Sequence, residues 1–222
     1  MPLQNRVDPF GEIHATSERG SFTGNRGIIH DPETRTLLNR RWATKAWITC
    51  ALEFKGVRRV PMGRNRPGNK TGWTELFFLD EVTALAAGHR PCFYCRRHRA
   101  KAFAAAYAGA FGKEHTNVDE IDARLHRERL ASGGQPVELD RHGLHLLPDG
   151  AMFSDGASDY AVRSGKALRW SFAGYDAALG FDDIADTDMC IVTPATTLAV
   201  LHQGYAPEWH PSAERLSAEA VP

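Results

Sequence analysis

Residues 77–96 read FFLDEVTALAAGHRPCFYCR, and three kinds of local structure follow one another along them. Thr74 to Leu79 is rich in aromatic and β-favouring side chains and predicts a short strand. Asp80 is suited to cap a helix, with Glu81 in its first turn, Val82, Leu85 and Ala86 on its apolar side, and Gly88 at the C′ stop. Arg90-Pro91-Cys92-Phe93-Tyr94-Cys95 is too short for either regular element and predicts a knuckle. Helix resumes at about Arg96 and runs through an Ala-rich stretch to Phe111.

The knuckle carries the sharpest chemistry. Two thiolates in a Cys92-x-x-Cys95 turn can face one tetrahedral ion at about 2.3 Å, which suits structural zinc. Arg90, Arg96, Arg97 and Arg99 surround the pair, and positive charge favours thiolates. A redox dithiol is the competing use, but it belongs at the start of a helix after a buried strand, whereas here a helix ending at Gly88 comes first. Zinc needs two further ligands. Cys50, on an expected strand within Trp42 to Phe54, and His30, at the end of a strand that could pair with it, are the candidates. Cys190 lies in Met189-Cys190-Ile191-Val192 and reads as a small core residue. His98 makes Cys95-x-x-His98 but falls on the continuing helix.

Phe77 to Arg96 resembles the second half of the Ada-type zinc-binding domain, in which an aromatic strand and a short Ala/Glu-rich helix lead to Ala-Gly-aromatic-Arg-Pro-Cys-x-x-Cys. The resemblance covers about twenty residues. It implies that Cys92 and Cys95 are zinc ligands, in a family found in DNA alkylation-response proteins and on some nucleases. The family draws its other ligands from a closely spaced upstream pair, whereas this chain has Cys50 alone, with His30 further upstream. In the repair members one upstream cysteine accepts a methyl group from DNA phosphate, a role whose counterpart here would be Cys50. His89 sits where the family has an aromatic residue, which argues against it as a ligand. The Trp73-Thr-Glu-Leu-Phe-Phe-Leu-Asp-Glu81 segment also resembles a group of uncharacterised bacterial proteins. Zinc deaminases share the Pro-Cys-x-x-Cys half of their signature with this chain, but their H-x-E half is missing upstream of Cys92.

Outward from this core, residues 1–27 are polar and end in Gly24-Asn25-Arg26-Gly27, which predicts an extended lead-in and a turn. Gly27 to His30 and Trp42 to Phe54 predict a hairpin or small sheet. Residues 55–72 predict a mobile basic loop. Asn117 with Glu120 resembles a capping box for a helix that ends at Ser132-Gly133-Gly134. Beyond it come short strand candidates at Ala151–Phe153, Tyr160–Val162, Leu168–Phe172 and Asp188–Val192. Thr193-Pro194 then opens a helix over Ala195 to Gln203. His142, His145, Asp149, Asp155 and Asp159 offer donors for a second metal, although such residues more commonly sit in solvated turns.

The formal charge is zero, with 27 basic and 27 acidic side chains. The charges are unevenly placed: residues 19–101 hold 17 basic and 6 acidic ones, residues 102–222 hold 9 and 18. A polyanion partner for the first half, or mutual neutralisation of the halves, would account for this. The loop cations Arg58, Arg59, Arg64, Arg66 and Lys70 are the expected nucleic-acid contacts, with DNA ahead of RNA. Four cysteines and no apolar stretch long enough for a signal peptide or a membrane span place the chain in the cytoplasm with reduced thiols.

The expected architecture is α+β: a basic zinc-knuckle module over residues 1–112 and a β-rich acidic module over 113–222, which can also pack as one domain. The expected function is nucleic-acid binding with a structural zinc. The alternatives are an enzyme acting on nucleic acid, of nuclease or alkylation-repair type, and a protein-interaction adaptor.

Overall fold

The computed structural model describes residues 1–56, 59–185 and 188–218 and has a mixed α+β architecture. In chain order, β1 (Gln4–Val7), β2 (Ile13–Ala15) and β3 (Phe22–Asn25) precede a small hairpin of β4 (His30–Asp31) and β5 (Thr36–Leu37). Then come β6 (Ile48–Ala51), β7 (Leu76–Phe78), α1 (Glu81–Ala86), β8 (Arg90–Pro91), α2 (Arg97–Ala110) and α3 (Val118–Glu128). The remainder comprises β9 (Val137–Glu138), α4 (Arg141–Leu144), β10 (Met152–Ser154), β11 (Asp159–Arg163), β12 (Lys166–Ser171), β13 (Gly174–Leu179), β14 (Cys190–Ile191), α5 (Ala195–His202) and α6 (Pro211–Ala218).

The first sheet has the order β2-β1-β7-β3-β6-β8, and the second, antiparallel throughout, β13-β12-β11-β10-β14-β9. The expected lead-in thus supplies three strands of the first sheet, with β3 bonded to β7 on one side and β6 on the other. Gly24, which suggested a turn, lies within β3 because of close packing. A Cβ there would stand 2.3 Å from the Ile48 carbonyl oxygen and 2.9 Å from the Phe78 ring.

Strand alternation sorts this sheet into two faces. Phe22, Leu76 and Phe78 join Val7, Ile13, Ile29, Ala84 and Ala87 in one apolar cluster. Thr23, in register with both Phe77 and Cys50, lies on the opposite face.

Helix α1 is the hub, and all six of its residues are buried. Ala84 meets the first sheet's cluster, Val82 and Ala86 pack with Met152, Ala161, Leu168 and Tyr175 of the second sheet, and Leu85 packs with Phe103, Tyr107, Ile121 and Val200 of α2, α3 and α5. The apolar clusters therefore cross the boundary expected at 112/113. Asp80 caps the helix as expected, accepting from Thr83 N at 2.8 Å. Its second oxygen accepts from Tyr175 Oη at 2.9 Å and His210 N at 3.1 Å, so the cap also ties β13 and the C-terminal segment to α1.

Two expected caps differ in detail. Asn117 accepts from Asp119 N at 2.9 Å, but Glu120 does not close a box; it accepts instead from Tyr107 Oη at 3.0 Å and pairs with Lys113 at 2.8 Å. Thr193 does not open α5, because its hydroxyl accepts from Met152 N at 2.8 Å. No helix among the described residues is long and apolar enough to cross a membrane.

Candidate metal centre and its pocket

The knuckle is built onto the edge of the first sheet. Arg90 and Pro91 pair in parallel with Ile48 and Thr49, and Cys92 N donates to Thr49 O at 2.9 Å. That register brings Cys92 alongside Cys50, the next residue of β6. The turn then closes through Arg96 N to Cys92 O at 3.0 Å, which brings Cys95 round, while Tyr94 N points at Cys92 Sγ at 3.4 Å. The three sulfurs all lie within 4.8 Å of one another. Sulfurs bound to one tetrahedral zinc stand about 3.8 Å apart, given Zn–S bonds of about 2.3 Å. Cys50 and Cys92 are buried and Cys95 is half-buried.

Crowding governs the protons of this trio. Hydrogen bonds from Cys50 and then Cys95 pull the Cys92 thiol well below the ordinary range, against its burial. The bond to Cys92, the bond to Cys95 and burial together push Cys50 up. Contact with Cys50 draws Cys95 down, but the bond to Cys92 and burial outweigh it, and Cys95 ends raised. Three thiolates at this spacing would repel one another, and a cation between them would offset that repulsion.

Three of the four arginines expected to activate the thiols are directed elsewhere. Arg90 is buried and forms a bidentate pair with Asp122 at 2.8 and 2.7 Å. Arg96 pairs with Glu81 at 3.0 Å and Glu208 at 2.8 Å, and Arg99 reaches Glu81 at 2.9 Å. Burial opposes the charge of Glu81, but Arg96, a hydrogen bond from Tyr205 and Arg99 hold its carboxyl below the usual range. These pairs brace both ends of the knuckle, through Arg90 before it and Arg96 after it.

His30 is not brought to the thiols. Its strand β4 pairs with β5, whereas the strand of Cys50 pairs with β3 and β8. His30 Nδ1 is instead 2.6 Å from Thr74 Oγ1. His89 is fully buried beside the Trp47 and Phe78 rings, and its Nε2 accepts from Arg26 Nε at 3.3 Å. The second metal site suggested by His142, His145 and the aspartates does not form among the described residues, where the three cysteines are the one such group. Asp149 binds Ser164 N at 2.8 Å and Asp155 accepts from Ala157 N, Ser158 N and Tyr160 Oη, so these carboxylates secure turns.

The thiols open onto a cavity of about 600 Å³. Its floor is the second face of the first sheet: Phe77, Thr23 and Cys50 in one cross-strand row, with Glu75, Asn25 and Ile48 beside it. Phe54, Trp73 and Tyr94 stand around it. Tyr94, between the two knuckle cysteines, is 70% exposed, and its ring meets Phe54 edge-on at 5.1 Å. Sequence reasoning missed Thr23, Asn25, Glu75 and Phe77. The alternation Thr74-Glu75-Leu76-Phe77-Phe78 carried the signal, since it places Glu75 and Phe77 opposite the core residues Leu76 and Phe78.

No family model, curated protein or solved structure matches this chain.

The basic half is less open than its charge suggests. Arg26, Arg90 and Arg96 are buried, and the guanidinium of Arg26 lies 3.8 Å from the Trp47 ring centre. Arg59 stacks over Trp73 at 4.4 Å and lies 3.7 Å from Glu75, and Arg64 donates to Glu33 at 2.8 Å. Lys55, Arg66 and Lys70 are exposed, with Lys55 near the rings of Phe54 and Tyr94 at the pocket mouth. Arg58 lies outside the described residues.

Proposed function

We propose that this chain is a zinc-binding protein that contacts nucleic acid, DNA ahead of RNA, with Cys50, Cys92 and Cys95 holding the ion. The observation that carries the reading is the convergence of three thiols from two distant segments within 4.8 Å. A set of three sulfurs suits zinc and disfavours magnesium or calcium, which prefer oxygen. The likeness of residues 77–96 to the Ada-type zinc domain points the same way for Cys92 and Cys95. The ion would clamp β6 to the knuckle, adding to the bond between Cys92 and Thr49.

The nucleic-acid part rests on the exposed cations Lys55, Arg66 and Lys70, with Arg59 over the half-buried Trp73 and Lys55 near the exposed Tyr94 ring. Arginine and lysine meet phosphates, and aromatic rings stack on bases. The test is electrophoretic titration of the zinc-loaded chain with duplex and single-stranded DNA at two salt concentrations. Affinity that falls steeply with salt supports the reading. Absence of binding to both at low salt removes it and leaves the adaptor reading.

A second reading is favoured by the cavity. A zinc centre that only clamps is closed by four protein ligands, whereas these thiols line a pocket of ligand size. The zinc would then serve an enzyme acting on nucleic acid.

A further inference from the structure

Zinc in a structural site takes four protein donors, whereas zinc that meets small molecules takes three and leaves a place for a fourth from outside. Among the described residues, no histidine, carboxylate or further cysteine joins Cys50, Cys92 and Cys95. The two carboxylates lining the cavity differ. Glu75 is occupied, accepting from Met62 N and Asn65 Nδ2 at 3.0 Å each, whereas Glu53 is exposed.

We propose that the pocket admits a planar heteroaromatic ligand whose ring nitrogen or sulfur completes the coordination begun by Cys50, Cys92 and Cys95. This rests on the zinc reading above. The cavity, at about 600 Å³, is of small-molecule size. Phe54, Trp73, Phe77 and Tyr94 line it, and aromatic rings favour a flat aromatic guest. A thiolate-rich ion prefers nitrogen or sulfur donors to oxygen. Zinc with three thiolates carries one net negative charge, so a neutral ring nitrogen adds no repulsion. An anionic sulfur would be balanced by Lys55 near the Phe54 and Tyr94 rings. The chemistry shared by such ligands is an aromatic body bearing a soft donor at its edge.

The test uses the full chain loaded with cobalt(II), whose visible bands report the donors around the ion. The cobalt protein is titrated with benzimidazole and with imidazole, which share a donor but differ in aromatic area. The expected result is that both shift the bands, with benzimidazole about tenfold tighter, and that Trp73→Ala removes most of that difference. Equal affinities for the two would overturn the role given to the aromatic walls. Bands that ignore both ligands would overturn the inference while leaving the metal centre standing. The same holds for bands that change in Glu53→Ala without ligand, since the shell would then be closed from within the chain. Failure of cobalt and zinc to bind at all would overturn the metal reading itself and this inference with it.

Discussion

The amide of Cys92 donates to the carbonyl of Thr49 at 2.9 Å, so a sheet hydrogen bond, and not a loop, sets the knuckle against the strand of Cys50. The donors are therefore placed by the same pairing that builds the sheet. Beneath them lies an apolar cluster that includes Phe22, Leu76 and Phe78 and does not depend on an ion.

It follows that metal removal should loosen the knuckle without unfolding the chain. With free zinc at about a hundred times its Kd, binding adds about 2.7 kcal/mol. For a chain of this size that corresponds to a fall of about 5–10 °C in Tm on chelation. Cys50→Ser and Cys92→Ser should show the lower Tm with or without added zinc, and an unchanged far-UV spectrum. Calorimetry with and without chelator checks this; loss of all secondary structure on chelation would contradict it.

Asp122→Ala should be among the most damaging single changes outside the thiols. It leaves Arg90 buried without its bidentate partner, two residues before Cys92. Removing one member of a buried pair costs about 3–5 kcal/mol, and denaturant unfolding should show a loss in that range. Metal affinity should fall as well, because Arg90 pairs with Ile48 of β6, the strand that carries Cys50.

Much of this was legible in the sequence. Asp80, Asn117 and the Gly88 stop marked helices because caps act locally, and the Cys92-x-x-Cys95 spacing marked a turn whose thiols could hold a metal for the same reason. The place of β3 was not legible. Gly24 and Asn25 look like turn residues, and only the approach of Ile48 and Phe78 shows why a strand passes there. The partner of the knuckle thiols was half legible. Cys50 is legible as a candidate, but its pairing with the knuckle spans a long sequence separation, and the strand pairing that would bring His30 to it does not form. Which cations reach the surface was not legible, because sequence cannot tell an exposed arginine from one buried against Asp122, Glu81 or Trp47.

Glu75 gives a pH test. Burial raises its carboxyl above the ordinary range, against hydrogen bonds from Met62, Asn65 and the charge of Arg59. A carboxyl with a raised folded pKa binds its proton more tightly in the folded state. Its stabilising contribution is complete below the unfolded pKa of about 4.3 and is lost as pH rises through the folded value. The stability of the native chain relative to Glu75→Gln should therefore rise as pH is lowered from 7 towards that unfolded value. Urea unfolding of both proteins across that range measures it; a relative fall would contradict the assignment.

The loop cations should act unequally. Arg66 and Lys70 are exposed, whereas Arg64 faces Glu33. Replacing Arg66 and Lys70 by glutamine should lower the salt slope of DNA binding by about two units, one for each phosphate contact. Arg64→Gln alone should change it less. Equal effects from all three positions would show that Glu33 does not hold Arg64 in solution.

The most direct measurement is zinc K-edge X-ray absorption on the full chain purified without chelator. Cys50, Cys92 and Cys95 as joint ligands require about one zinc per chain with three sulfurs at about 2.3 Å and one further donor. A chain without zinc, or a zinc shell with fewer than three sulfurs, would contradict the account.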